Sequence, residues 1–181
     1  MPIPIHIRGK ELYDSENNRF ITVKDANLMF EHSLLSISKW EAKWHKPYLS
    51  TEKKTQEEYL DYLRCMCLTQ NYDPNVFYAM DQKNAKAIAD YIADSQTATT
   101  IRKQDQRPSR EIITNEIIYY WMTELNIPFE PCQKWHLNRL FTLIQVASIK
   151  KQPSKKMGKK EAARERAALN ASRRAKYHTR G

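Results

Sequence analysis

Between Gly9 and Gly158 the chain contains no glycine at all, and only Gly181 follows. Glycine supplies the close-approach and positive-φ positions that irregular loops and phosphate-cradling turns need. Its scarcity argues against a loop-rich fold and for regular elements joined by polar turns. Neither a P-loop nor a dinucleotide fingerprint can be assembled from three such glycines, which excludes the commonest nucleotide-binding enzymes.

The 181 residues are enough for one ordinary domain with a modest core and an appendage. The net charge of +9 is unevenly spread. Residues 150–181 hold 12 Lys or Arg against 2 Asp or Glu, whereas residues 1–149 hold 18 against 19. The pattern is a near-neutral domain carrying a basic tail. Cys65, Cys67 and Cys132 are too few and too unpatterned for a disulfide scaffold, so a reducing compartment is expected. "MPIPIHIRGK" lacks the basic start and apolar run of a signal peptide. The longest apolar stretch, "LFTLIQVASI", falls far short of the ~20 residues a bilayer requires. A soluble, cytoplasmic protein with no membrane partner is the expectation.

The first thirty residues read as strands. Isoleucines at 3, 5 and 7 alternate with other residues in "IPIHI", the period-2 mark of a half-buried strand. "ELYD" and "RFITV" flank the polar turn "SENN", a hairpin signal, and "NLMFEH" adds a further short strand. The chain then turns helical. In "SLLSISKWEAKWHK", Ile37, Trp40 and Trp44 lie at helical spacing, and Pro47 stops the helix soon after. "TQEEYLDYLRCMCLTQ" opens on a capping box, Thr55 and Glu58, with Tyr59, Leu63, Met66 and Cys67 as its apolar stripe. "DPNVFYAM" is a short helix capped by Asp73 with Pro74 first, and "DQKNAKAIADYIAD" is another. Residues 95–108 form an irregular crossing. "SREIITNEIIYYWMTELN" restarts as a helix capped by Ser109, with Ile113, Ile117, Trp121 and Leu125 aligned. After the proline-bounded link "IPFEP", "CQKWHLNRLFTLIQVASIK" is the most apolar helix. The tail from Gln152 favours helix by its Ala and Arg content but offers no face wide enough to pack.

The expected fold is therefore mainly α. A small N-terminal antiparallel β element spans 1–32, a compact helical domain 33–149, and a basic, partly helical or disordered arm 150–181.

Catalytic and metal sites find little support in the pattern. Cys132 and His136 are four apart on one expected helix. Cys65 and Cys67 cannot both join them, because helical residues two apart point in nearly opposite directions. Zinc sites also place their cysteine pairs on turns at wider spacing. The five histidines, His6, His32, His45, His136 and His178, stand in no triad-like context. Glu57, Glu58 and Asp61 read as the charge bias of a helix N-terminal half rather than as an acid/base pair. No enzymatic activity, cofactor or metal is expected.

Two features point to partners instead. Trp40 and Trp44 share one helix face, where they either build the core or, with Lys39 and Lys43 beside them, form a surface for another protein. The basic arm, with Lys155, Lys156, Lys159, Lys160, Arg173 and Arg174, suits either a solvated tail or weak attachment to nucleic acid or an acidic protein. Tyr177 is its one aromatic, so base stacking has little to work with.

Four stretches taken together, "LLSISKWEAKWHKPYLS", "DYLRCMCLTQNYDPNVF", "SREIITNEIIYYWMTELNIPFEPCQKWHLNRL" and "KKMGKKEAARERAALNASRR", resemble tail-module proteins of long-tailed bacteriophages, similar to tail assembly chaperones. The resemblance runs from about Ser33 to Arg174. It implies an assembly factor of the host-cell cytoplasm that coats the long tape-measure protein, yields to polymerising tail-tube protein, and is absent from the finished virion. It implies no catalytic residue. The N-terminal strands depart from that pattern and leave a virion adaptor as one alternative; the basic arm leaves a nucleic-acid-associated protein as another.

Overall fold

Four five-residue strands open the chain: β1 Ile3–Ile7, β2 Lys10–Asp14, β3 Arg19–Val23 and β4 Ala26–Phe30. They form two antiparallel pairs, β1 with β4 and β2 with β3. Ile7 pairs with Ala26, and Lys10 pairs with Val23, so both ladders share one register with two residues skipped on each side. The four strands are thus one long hairpin interrupted near Gly9. The buried face changes at that interruption. Before it, Ile5, Ile7, Leu28 and Phe30 point inward; after it, the alternate set of Leu12, Ile21 and Val23 does so. Gly9 sits at the crossing, where a Cβ would lie 2.5 Å from the Val23 carbonyl oxygen. Only a residue without a side chain admits that approach.

The computed structural model describes residues 1–15, 17–101, 111–151 and 159–177, with the side chains of 159–162, 165 and 175 left aside. After the hairpin come α1 Leu34–Trp44, α2 Gln56–Met66, a 3₁₀ turn Pro74–Ala79, α3 Gln82–Ala93, α4 Asn115–Glu124, the short α5 Phe129–Cys132, α6 Leu137–Lys151 and α7 Lys159–Tyr177. The protein is mainly helical with a small, two-sheet antiparallel β part. It divides into two units, Met1–Ile149 and Lys150–Gly181.

The caps are local chemistry. Ser33 Oγ accepts the Ser36 N–H to open α1, and His45 closes it in the left-handed region at φ 52°. Thr55 and Glu58 form the reciprocal capping box of α2, and Asp73 precedes Pro74 as the cap of the 3₁₀ turn. Asp81 and Asn84 cap α3 in the same reciprocal way.

The first unit closes around the β4–α1 junction. On one side, Glu31 N–H donates to Met66 O and Leu68 N–H to Met29 O, which lays the end of α2 along β4. On the other, Leu35 N–H donates to Gln133 O and Leu137 N–H to His32 O, which anchors the start of α6. Leu34, Ile37 and Trp40 of α1, Tyr62, Leu63 and Met66 of α2, Phe77, Ile88, Ile118, Met122, Leu137 and Leu140 fill the core with the inward hairpin residues. Each such side chain contributes roughly 1.5–3 kcal/mol by leaving water.

Several sequence-based boundaries shift. The helix expected over 109–126 begins only at Asn115; Ser109 lies outside the described residues. The reason is tertiary. Thr114 supplies no side-chain cap, and Glu41 of α1 takes its place: its Oε2 accepts both the Asn115 N–H at 2.8 Å and the Asn115 side-chain amide at 2.6 Å. The inward face is correspondingly Ile118 and Met122, with Ile113, Ile117, Trp121 and Leu125 only half-buried. The helix expected from Cys132 begins at Leu137, so Cys132 and His136 do not share a helix face. α2 ends at Met66, and Cys67 bridges to Phe30 instead of extending the stripe. Of the expected irregular crossing, residues 95–101 have neither helix nor strand, and 102–110 lie outside the described residues.

Candidate functional site

α1 meets α2 through an aromatic and ionic cluster whose parts arrive at helical spacing. Trp40, Lys43 and Trp44 project from one side of α1; Glu58, Asp61 and Tyr62 answer from α2. Trp40 is 1% exposed, and its indole N–H donates to the Glu58 carbonyl at 2.9 Å. One turn on, the Trp44 N–H donates to Asp61 Oδ2 at 2.9 Å, while Lys43 Nζ reaches Asp61 Oδ1 at 2.6 Å. Lys46 reaches Glu58 Oε1 at 2.5 Å, and Glu58 Oε2 accepts the Thr55 N–H of its own capping box at 2.7 Å. Glu58 therefore caps α2, holds Lys46, and lends its carbonyl to Trp40.

The loop after Pro47 seals the cluster. The Tyr48 ring stacks on Tyr62 at 3.8 Å between centroids and meets Trp40 edge-on at 5.2 Å. Glu41 Oε1 fixes this loop by accepting the Tyr48 N–H at 2.7 Å. Lys54 lies over the Tyr48 ring at 4.6 Å, and Trp40 stacks with Trp44 at 6.2 Å. Such ring pairs contribute about 0.5–1.5 kcal/mol each beyond area burial.

Protonation follows the geometry. The Lys46 hydrogen bond, then that of Thr55, holds the Glu58 carboxyl below its ordinary range, and the same Glu58 contact raises Lys46. Burial opposes ionisation of Asp61, yet the bonds from Lys43 and Trp44 outweigh it and lower its pKa. Tyr62 is pushed well up by burial and by its neighbour Tyr48. Burial likewise raises the Cys65 thiol to about 11, so it stays protonated at neutral pH.

A second polar group lies beneath the junction. His32 and His136, far apart in sequence, have ring centroids 5.3 Å apart. His32 Nδ1 is 2.5 Å from the Tyr62 hydroxyl. The His136 ring has Nε2 3.0 Å from the Tyr91 carbonyl and Nδ1 accepting the Asn138 N–H at 3.3 Å. Burial, and then the neighbouring His136, drive His32 down to about 3, and burial also lowers His136. Both rings are neutral at pH 7. Among the described residues no buried side-chain polar atom lacks a hydrogen-bond partner. No group of three or more His, Cys, Asp or Glu among them is placed to hold a metal ion.

The structure distributes the sequence-derived partner residues in three ways. Trp40 belongs to the core. Trp44 is half-buried at the rim with exposed Lys43 beside it, and Lys39 is exposed one turn before Lys43. Arg173 and Arg174 lie exposed near the end of α7, and Lys159 and Lys160 occupy its first turn. Lys155 and Lys156 lie outside the described residues. The other two tryptophans, Trp121 and Trp135, pack against the core without being enclosed by it.

Tyr48, Lys46 and Lys54 did not stand out in the sequence, and Asp61 was read there only as part of the charge bias of its helix. The usable signal for Asp61 was its place three residues after Glu58, which matches the Trp40–Lys43 spacing of the facing helix. Comparison with protein-family models, with curated proteins and with solved structures returns no match to this chain. Among the described residues no helix is long and apolar enough to cross a membrane.

Proposed function

We propose that the chain is an assembly chaperone of a long-tailed bacteriophage, binding the tape-measure protein through the exposed side of α1 while the tail is built in the host cytoplasm. Two things support the reading: the resemblance of the stretches between Ser33 and Arg174, and the rim of the α1–α2 cluster. The rim is the structural observation that carries it. The half-buried Trp44 has Lys43 and Lys46 within 6.0 Å of its ring centroid, and Lys39 is exposed one turn before Lys43, on a helix tied to α2 from beneath. The Trp44 edge suits the anchor of an amphipathic helix and exposed Lys39 an acidic flank on it, the form an extended helical polypeptide presents before assembly.

In this reading the arm 150–181 is a separate element that raises the encounter rate, and many weakly bound copies act together along one long client. No catalytic step and no cofactor are involved. The protein leaves as tail-tube protein polymerises, which sets it apart from an adaptor retained in the virion.

The test is capture of the tagged chain from infected, nuclease-treated cells, with bound proteins identified by mass spectrometry. Recovery of a very long, helix-rich tail protein, lost when Trp44→Ala is combined with Lys39→Glu, is the expected result. Capture that is unchanged by those substitutions, or that disappears with nuclease, would count against it.

A further inference from the structure

The helix α7 has the charge of a docking element and lacks the apolar seam of a packing one. Its 19 residues, Lys159–Tyr177, form a rod about 28 Å long. They include seven basic and two acidic residues, so five positive charges are left without an acidic counterpart in the helix. Every described side chain on it is exposed. A helix that binds a protein groove carries apolar anchors at i, i+3 or i+4, and i+7. Here Leu169 and Tyr177 are the only bulky apolar residues, and they do not make such a series.

The arrangement around the helix points to a particular partner. At about 100° per residue, Arg166 and Arg173 fall along one line and Arg174 lies roughly 100° round from it, with Asn170 between. Arg164 lies beyond Arg174 on one side and Lys176 beyond the Arg166–Arg173 line on the other; of the two acidic positions, 165 falls near the Lys176 direction and 161 farther round. A single acidic helix would meet only one line of such a surface. A groove walled by phosphates on both sides meets the Arg166–Arg173 line with one wall and Arg174 and Arg164 with the other, and the major groove of duplex DNA, about 12 Å wide, accepts a helix. Ala163 lies within this arc, and Ala167 and Ala171 between Arg174 and Arg164, so no bulky side chain there keeps the backbone from a groove floor. Stacking on unpaired bases is not served, because the helix has one aromatic ring.

We propose that α7 binds the phosphate backbone of duplex DNA, with little dependence on base sequence and independently of the α1 surface. Binding releases counter-ions, so the logarithm of affinity falls linearly with the logarithm of salt, by about 0.9 per neutralised phosphate.

The experiment uses the full chain and a fluorescein-labelled duplex of mixed sequence, read by anisotropy across a sodium chloride series. Polyglutamate serves as competitor. Substituting Arg164, Arg166, Arg173 and Arg174 together by Gln, which keeps helix propensity, is expected to weaken binding at least 30-fold near 0.1 M salt and to flatten the salt slope by about 3–4. The matching four-Lys variant is expected to stay within about 3-fold of the parent. Near-UV circular dichroism of each variant checks that the first unit is intact. Unchanged binding by the Gln variant, equal loss in the Lys variant, or polyglutamate competing as well as duplex would each overturn the proposal.

Discussion

The α1–α2 cluster and α7 use the same cationic residues in opposite ways. In α1, Lys43 reaches Asp61, and just beyond its end Lys46 reaches Glu58, while the acids also receive the Trp44 N–H and cap α2. In α7 the sequence offers two acids for seven bases, and no apolar stripe to fold them against. In the first region Lys43 and Lys46 are paired within the fold itself; in α7 the bases outnumber the acids. A lysine or arginine count therefore says little until the acids on the facing element are known.

The largest effect is expected at the most buried residue of the α1–α2 cluster. Trp40→Ala is expected to destabilise the fold by about 3–5 kcal/mol, since it removes an enclosed ring and its bond to Glu58. Urea denaturation reads this directly, and a loss under about 1 kcal/mol would move Trp40 out of the core. Trp121 and Trp135, only half-buried, should lose less than Trp40 on the same change.

Asp61→Ala comes next, at about 1–3 kcal/mol, because the Trp44 N–H loses its acceptor and Lys43 its partner. By contrast Arg173→Ala and Arg174→Ala in α7 should each stay within about 0.5 kcal/mol. Equal losses in the two regions would mean that the α7 arginines are as integral to the fold as Asp61.

Acid acts on the buried histidines of the first unit. His32 and His136 have folded pKa values below their ordinary one, so the fold favours their neutral forms. Unfolded histidine takes up a proton near pH 6.5, whereas folded His32 waits until about 3. The stabilisation is therefore full above about pH 6.5 and is lost as pH falls toward 3. Between pH 7 and pH 5 the loss should be about 2 kcal/mol from His32 alone. Glu58 and Asp61, whose pKa values are also lowered, add to it at still lower pH. Urea midpoints that do not move between pH 7 and 5 would mean that His32 titrates normally in the folded protein.

How far these features could be read from the sequence depended on how local their causes are. The β1 alternation, the "SENN" hairpin and the Thr55–Glu58 and Asp73–Pro74 caps are each determined within a few residues, and all were legible. The face of α4 was not. "EIITNEIIYYWM" is apolar nearly all round, and the helix start is set by Glu41, far away on α1. The change of buried face at Gly9 also escaped, because alternation by itself does not say which side of each half meets the body. The His32–His136 pair depends on the return of the chain past the β4–α1 junction, which no short-range pattern encodes. At the candidate site the two tryptophans were legible as a pair on one face, but their division into an enclosed Trp40 and a half-exposed Trp44 follows from where Tyr48 and α2 lie.

The most direct measurement is the thermal melting of the chain shortened to end at Lys151, compared with the full chain. If charge in the first unit is neutralised within its own fold while residues from 152 onward contribute none of its core, the two midpoints should agree to within about 2 °C, with the same cooperativity. A drop of 5 °C or more on removing residues 152–181 would show that those residues stabilise the first unit, and would contradict the division of labour between α1–α2 and α7.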